Sequence, residues 1–164
     1  MDWFTVGIFI VVPFVGAAIS SILGRGESGQ KQYYKELKLP DWRPPAWLFG
    51  PVWTYLYTTM GIAAYLVWRD GGGFDKASTP LALYGISLIL NWMWTPLFFG
   101  ARLLGLASIE ILMYLVSVVA CIYAFHPVNT TASYLLVPLL LWVSFASCIC
   151  IYAWRHNPDA RKQE

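Results

Sequence analysis

The sequence predicts an all-α membrane protein, a bundle of five transmembrane helices with a long first loop acting as a lid. Hydrophobic residues make up 58% of the 164 residues and charged residues only 12%, whereas an ordinary soluble domain is about one quarter charged. Five nearly uncharged runs are long enough to cross a hydrocarbon core of about 30 Å. The charges and turn-forming residues fall between these runs. The length predicts a single membrane domain over residues 1–164, ending in a polar tail at 155–164.

The five predicted spans are joined by short connections, except for the first connection. Only Asp2 is charged ahead of the first run and no basic residue precedes it, so we interpret this run as a retained helix and not as a signal peptide. Prolines fall inside or at the ends of spans, where neighbouring helices can satisfy the freed carbonyl groups. These prolines are Pro13, Pro51, Pro96 and Pro138. The spans lie at about 4–23, 46–68, 80–100, 103–125 and 132–154.

The first loop, residues 24–45, differs in composition between its two halves. Its start, "GRGESGQ", predicts a flexible segment, and its second half, "YYKELKLPDWRPP", is rich in rings and prolines. Pro44 and Pro45 restrict the backbone immediately before the second helix, where proline is well tolerated. Long loops with ordering of their own are often functional. We therefore predict that this loop lies as a lid across one end of the bundle.

The lysines and arginines predict the orientation of the chain in the membrane. Five spans place the two termini on opposite sides. Of the 11 Lys and Arg residues, only Arg69 and Lys76 lie on the side of the second and fourth loops. Because basic loops remain cytosolic, we predict a multi-pass integral membrane protein with a cytosolic C-terminus. A net charge of +2, with no basic face, gives no reason to expect nucleic acid as a partner.

Motifs for conventional catalysis and metal binding are absent from the sequence. Cys121, Cys148 and Cys150 lie within apolar runs and form no C-x-x-C pair, which is typical of packed side chains. His126 stands in a short turn without ligand-spaced partners. No nucleophile–base motif or phosphate-binding glycine loop occurs. We predict no metal site and no required cofactor.

Large rings recur at helical spacing within three of the predicted spans. Such stripes are more often packing than a binding site, but two features favour a pocket. The rings lie within the spans and not only at the headgroup belt, and small residues between them leave room for a flat ligand held by stacking. The stripes are Trp53, Tyr57, Met60 and Ala64 in the second helix; Asn91, Trp94, Thr95 and Phe98 in the third; and Trp142, Phe145, Ala146 and Ile149 in the fifth.

Two polar residues inside spans each have two interpretations. Asn91 either faces the pocket or forms an interhelical hydrogen bond worth on the order of 1 kcal/mol. Glu110 is the only acidic residue deep within a span, and an intramembrane carboxyl is by default a functional hypothesis. The alternative is an interfacial carboxyl, protonated or paired with Arg102, and it is the simpler of the two.

Three segments rich in tryptophan and proline stand out: "LPDWRPPAWLFGPVWTYLY" at 39–57, "NWMWTPLFFGAR" at 91–102 and "VPLLLWVSFAS" at 137–147. They resemble the translocator protein family, also called tryptophan-rich sensory proteins or peripheral-type benzodiazepine receptors. They occur in the order and with the five-span layout of that family. The resemblance covers almost the entire chain.

The resemblance implies a usually dimeric five-helix bundle with a pocket that opens toward the first loop. It implies binding of tetrapyrroles such as protoporphyrin and haem, and of sterols and benzodiazepine-type ligands, in sensing or transport. One alternative is a light-dependent porphyrin-degrading enzyme with Trp53 and Trp142 as catalytic candidates, and another is a scaffold in a membrane complex. The expected location is the mitochondrial outer membrane in a eukaryote and the cell envelope in a bacterium.

The stripes, the lid and the family's motifs together give the predicted ligand-binding residues. The resemblance places Trp53 and Trp142 at the pocket tryptophans, and Trp94, Ala146 and Ile149 at positions that line the drug pocket. Tyr152 and Arg155 are candidates for a sterol motif, which is imperfect because no Leu or Val precedes the tyrosine at the required distance. The predicted ligand-binding residues are Trp42, Pro44, Pro45, Trp53, Tyr57, Asn91, Trp94, Phe98, Trp142, Phe145, Ala146 and Ile149.

Overall fold

Every regular element in the described part of the chain is helical, which confirms the all-α class. The structure is a computed structural model that describes residues 3–157. A 3₁₀ turn at Ala46–Leu48 leads into the α-helix that begins at Phe49, and a π-helix at Pro96–Ala101 continues the α-helix that ends at Thr95. The α-helices are α1 (Trp3–Leu23), α2 (Gly26–Glu36), α3 (Phe49–Asp70), α4 (Gly73–Lys76), α5 (Ser78–Thr95), α6 (Leu104–Phe125), α7 (Thr130–Leu135) and α8 (Val137–His156).

Four helical segments of residues 3–157 are long and apolar enough to cross a membrane. They are Trp3–Leu23, Ser78–Ala101, Leu104–Phe125 and Thr130–His156, and they correspond to four of the five predicted spans. The remaining candidate, α3, has 22 residues but is less apolar because it carries several aromatic and hydroxyl side chains. The hydroxyls of Thr54, Thr58 and Thr59 donate to carbonyl oxygens of their own helix, which satisfies them without water. The second predicted span, residues 46–68, therefore stays a prediction.

The described helices pack against one another in a definite order. α1 lies against α3 and α5, α5 against α6, and α6 against α8, while α3 packs on α7. α1 and α3 cross closely, since a Cβ added at Gly61 would lie 2.5 Å from the Cα of Ile10. The ring of Trp92 covers Gly16 of α1 in the same way. Small residues at such crossings let helices approach closely in a membrane.

The first half of the first loop is a helix, so the prediction of a flexible segment is wrong. Gly26–Glu36 forms α2, whose Glu27 and Lys31 pair one turn apart, a spacing that supports a helix. Tyr33 is 5% exposed and packs its ring against Phe98. This charged segment has few apolar residues, and its helix is stabilised by the burial of Tyr33 against the core.

Two predicted spans end or begin differently because of proline. The third predicted span, residues 80–100, changes from α- to π-helix at Pro96, which has no N–H for the α-helical hydrogen bond. The fifth consists of α7 and α8, interrupted at Leu136 two residues before Pro138. At the other end, Arg155 and His156 belong to α8 and not to a separate tail. Residues 158–164 of the predicted tail lie outside the described residues.

Side-chain contacts attach the two ends of α2 to neighbouring elements. Arg25 has φ 73° and donates from Nε to the carbonyl oxygen of Gly100 at 3.0 Å. Arg102 has φ 60°, lies 3.9 Å from a carboxyl oxygen of Glu36 and covers the ring of Tyr33 at 4.4 Å. α2 is therefore fixed to the ends of α1 and of the π-helix, on the side where α6 begins.

Candidate ligand site beneath the first loop

A series of ring contacts connects the first loop with α3 and α8. Trp42 meets Phe145 with ring centroids 5.6 Å apart, and Phe145 meets Trp142 at 6.2 Å. Trp142 meets Phe49 at 5.6 Å, and Phe49 meets Tyr34 of α2 at 6.2 Å. We call these five residues the ring series. It brings Trp42, Trp142 and Phe145 together, three of the residues predicted from the sequence.

An apolar cleft of about 330 Å³ lies between α3 and α8. It exists because α3 packs on α7 whereas α8 packs on α6, which leaves the first halves of α3 and α8 apart. Trp142 and Phe145 form part of its wall, so the cleft adjoins the ring series. Its lining residues are Val52, Tyr55, Leu56, Pro138, Leu141, Trp142 and Phe145.

A second group of predicted residues joins α3 to α5. The rings of Trp53 and Tyr57 lie 5.1 Å apart, and the Tyr57 hydroxyl donates to Oδ1 of Asn91 at 3.0 Å. Phe14 of α1 packs on Tyr57 at 5.4 Å. Asn91 is 7% exposed. Its bond with Tyr57 is the interhelical hydrogen bond that was one of its two interpretations. Its role toward a ligand stays a prediction.

A third group surrounds Trp94 at the end of α5. The Trp94 ring stacks on Phe98 at 4.8 Å and meets Phe99 at 5.8 Å. Phe98 is buried, and Tyr33 covers it from α2. The structure thus places Trp94 and Phe98 together, beneath α2 and not beneath Trp42.

The other predicted residues lie around these groups. Pro44 is half-buried and Pro45 is exposed; both precede the 3₁₀ turn. Ala146 is half-buried and Ile149 is buried in the core. From the predicted sterol motif, Tyr152 stacks its ring on His156 at 3.8 Å.

Several aromatic residues of the site were not singled out from the sequence. They include Tyr34 and Phe49 of the ring series, Tyr33 above Phe98, and Tyr55 in the wall of the cleft. The available signal was the tyrosine pair at 33–34 in a segment already noted for its rings. Its importance depended on where α2 packs, because that packing brings Tyr33 to Phe98 and Tyr34 to Phe49.

Tyr34 combines a half-buried ring with a nearby positive charge. Burial raises the pKa of the Tyr34 phenol, and the charge of Arg43 partly opposes this change. The Arg43 guanidinium carbon lies 6.0 Å from the Tyr34 ring centroid. Tyr34 is therefore neutral at ordinary pH and acts as an apolar ring next to a surface cation.

Glu110 lies in the interior of the bundle and not at its interface. It is 5% exposed, and neither carboxyl oxygen has a hydrogen-bond partner within residues 3–157. The pairing with Arg102 expected as one alternative is wrong, because Arg102 lies beside Glu36 and Tyr33. Arg102 is held there by its position at the end of the π-helix, next to α2.

The fold and site define an all-helical integral membrane protein with an aromatic cluster under its first loop. Residues 9–155 match the family model described as TspO/MBR family, and the chain belongs to that family. It is 41% identical to the human "Translocator protein" over 91% of this chain and 88% of that one. It is 35% identical to the "Tryptophan-rich protein TspO" of Chlorobaculum tepidum over 93% of each chain. With the "Tryptophan-rich sensory protein" of Cereibacter sphaeroides it shares 33% identity over 98% of each chain.

Proposed function

We propose that this protein binds tetrapyrroles such as protoporphyrin and haem at the α3–α8 cleft and the adjoining ring series, in sensing or transport. The observation that carries the proposal is the unbroken set of ring contacts from Trp42 through Phe145 to Trp142, at the wall of an apolar cleft. A flat conjugated ligand gains offset stacking from such rings. Apolar walls with few polar groups are usual in ligand sites.

The proposal includes five spans, with α3 as the second, and a first loop that covers the site as a lid. Trp42 is 53% exposed although its ring contacts Phe145, so a ligand can reach it without unfolding a helix. The basic residues on the first-loop side support a cytosolic location of that side and of the C-terminus. We further propose a homodimer, located in the outer mitochondrial membrane of a eukaryote or the envelope of a bacterium.

Sterols and benzodiazepine-type ligands are proposed as further ligands of the same protein. For sterols the C-terminal motif gives weak support, because Tyr152 is already stacked on His156. The broader ligand range is proposed from the resemblance of the sequence motifs to the translocator protein family.

A titration of the purified protein in detergent with protoporphyrin tests the main proposal. The absorption band of the porphyrin is followed in the dark, together with quenching of tryptophan fluorescence. We expect saturable binding that Trp142→Ala weakens about tenfold or more, since one stacked base is worth about 1–3 kcal/mol in comparable aromatic sites. Trp47→Ala is the matched control, because Trp47 lies in the same region but is 71% exposed. Non-saturable binding, equal in both variants, would refute the proposal.

The same titration under illumination separates binding from degradation. The ring contacts of Trp53 with Tyr57 and of Trp142 with Phe49 provide conjugated neighbours for an oxidised tryptophan, which favours the enzyme as the second candidate. Loss of the porphyrin spectrum in light only, abolished by Trp53→Phe or Trp142→Phe with binding retained, would establish it. A porphyrin spectrum that is stable in light would show binding without degradation.

A further inference from the structure

Arg43 places a positive charge at the edge of the ring series. Its guanidinium carbon lies 6.0 Å from the centroid of the Tyr34 ring, and in the chain it directly follows Trp42. Tyr34 and Trp42 are the two ends of the ring series. Both ends of the series therefore lie next to the same cation.

The charge of Arg43 is not neutralised by an ion pair within residues 3–157. The cations that pair with a carboxyl group in this part of the chain are Lys31, Arg69 and Arg102. The carboxyl group nearest to Arg43 in the chain is that of Asp41, which is exposed and takes part in none of these pairs. Arg43 is exposed as well, so its guanidinium can receive a partner of opposite charge.

The backbone on either side of Arg43 is restricted by proline. The Arg43 N–H donates to the carbonyl oxygen of Pro40 at 3.1 Å, and Pro40 is buried. Pro44 follows directly, and a residue that precedes proline is largely limited to extended conformations. A segment that is ordered before binding loses less conformational entropy when a ligand arrives. The cation is therefore held at the edge of the ring series in the free protein.

We propose that Arg43 binds a carboxylate of the ligand and makes the site selective for tetrapyrroles that carry free propionate groups. This inference rests on the proposed function, which stacks the ligand on the ring series. Protoporphyrin carries its two propionates on one edge of its ring system, and that edge faces Arg43 in the proposed complex. The planar guanidinium donates two parallel N–H bonds to a carboxylate, which is stronger and more specific in geometry than a neutral contact. Apolar sites commonly contain a single charged group that fixes the orientation of the ligand.

Protoporphyrin and its dimethyl ester are a matched pair of probes for this contact. The ester keeps the ring system but has no ionised carboxyl group. Both are titrated into the purified protein in a neutral detergent, and the ratio of the two affinities is compared between variants, which cancels their different partition into the micelles. We expect Arg43→Gln to reduce the preference for the acid about three- to tenfold, more than an exposed ion pair contributes because the partners meet at an apolar wall. The affinity for the ester should not change.

Two further variants separate a direct contact from the overall charge of the first loop. Lys31→Gln removes one positive charge from the same loop, at a side chain that is 66% exposed, and it should keep the preference for the acid. Arg43→Lys keeps the charge without the planar fork and should retain only part of the preference. If Lys31→Gln loses as much as Arg43→Gln, the loop acts through its net charge and the inference is wrong.

The dependence on salt gives a second measurement of the same contact. Exposed charges are screened as ionic strength rises. From about 0.05 M to about 1 M salt, the preference of the wild type for the acid should therefore fall toward that of Arg43→Gln, which should itself change little. An equal salt dependence in both proteins would assign the preference to other groups and contradict the inference.

The titrations distinguish failure of this inference from failure of the proposed function. If the wild type and Arg43→Gln bind both probes saturably with the same ratio of affinities, Arg43 does not bind the ligand carboxylate, whereas the tetrapyrrole site itself stands. If the wild type binds neither probe saturably, the proposed function fails and this inference fails with it.

A lipid phosphate is the other anion that a membrane offers to Arg43. The titrations are repeated with a small fraction of phosphatidylglycerol in the micelles, and with phosphatidylcholine as the neutral control. We expect the preference for the acid to persist in both. If phosphatidylglycerol abolishes it and phosphatidylcholine does not, the guanidinium is a site for lipid headgroups and the inference is wrong.

Discussion

The side chain of Asn157 binds both backbone polar groups of Lys38 and so joins the end of α8 to the first loop. Its Oδ1 accepts from the Lys38 N–H at 2.9 Å, and its Nδ2 donates to the Lys38 carbonyl oxygen at 3.1 Å. The same Nδ2 also donates to the carbonyl oxygen of Ala153 at 2.7 Å. The loop is thus attached just before Pro40, where its ring-rich second half continues toward Trp42.

Asn157→Ala should release this attachment. Three hydrogen bonds are lost, each worth about 1 kcal/mol, so we expect faster amide hydrogen exchange at residues 38–45 and a free energy of unfolding lower by about 2–4 kcal/mol. Exchange in α6 should not change. Asn157→Asp keeps the acceptor for the Lys38 N–H and should give an intermediate result. Equal exchange in the wild type and the alanine variant would contradict the attachment.

Gly61→Ala should destabilise the crossing of α1 and α3. The added Cβ would lie 2.5 Å from the Cα of Ile10 and 2.6 Å from the carbonyl oxygen of Phe9, and backbone atoms cannot move aside easily. We expect a loss of about 1–3 kcal/mol, as for other overpacked cores, measured by thermal unfolding in detergent. Gly85→Ala is the matched control, because nothing lies within 4 Å of its added Cβ. That variant should be unchanged or slightly more stable, and a similar loss in both would exclude the steric explanation.

Asn129→Ala should weaken the start of α7 and its link to the end of α3. Oδ1 of Asn129 caps α7 by accepting from the Ala132 N–H at 2.8 Å, and Nδ2 donates to a carboxyl oxygen of Asp70 at 2.6 Å. Loss of the cap costs about 1 kcal/mol. Asn129→Ser retains a capping oxygen and loses only the bond to Asp70, so its effect on the unfolding free energy should be smaller. If the serine variant loses as much as the alanine variant, the cap is not the cause.

The Asp70 contacts also predict a dependence on pH. The Arg69 guanidinium and then the Asn129 amide lower the pKa of the Asp70 carboxyl, which lies beyond the predicted span 46–68. A lowered folded-state pKa contributes stability that is complete above the unfolded-state pKa, about 4, and is lost as pH falls through the folded-state value. Unfolding measured between pH 7 and pH 3 should show this loss at the acidic end. Asp70→Asn should reduce it, and an unchanged slope in that variant would assign the acid sensitivity to other groups.

Tyr57→Phe should remove the hydrogen bond to Asn91 and keep the ring contacts with Trp53 and Phe14. Because interhelical hydrogen bonds in membranes contribute about 0.6–2 kcal/mol, we expect a decrease of that size in the free energy of unfolding. Tyr55→Phe serves as the control, since Tyr55 is 54% exposed on the outer surface of α3. An equal effect of both substitutions would show that the Asn91 contact adds nothing.

Composition and motifs were sufficient for the class of the protein and for its family. Long apolar runs require helices in a membrane because each helix satisfies its own backbone, which is why the helices and most of their bounds could be predicted. Boundaries failed at Pro96 and near Pro138, where the loss of one N–H changes the helix type or interrupts the helix without ending the segment. The helix α2 was missed because its stability depends on Tyr33 reaching Phe98, a residue 65 positions away in the chain.

The candidate site, like the fold, was predicted only in part from the sequence. Helical spacing identified Trp53 with Tyr57 and Trp94 with Phe98, since residues four apart lie on one face of a helix. Spacing within a helix carries no information about which face of another helix it meets. Only the tertiary structure could place Trp42 on Phe145, Phe49 on Trp142, and Glu110 in the interior instead of beside Arg102. The sequence determined a helical membrane protein of this family, and the packing of α3 on α7 and of α8 on α6 decided where its rings meet.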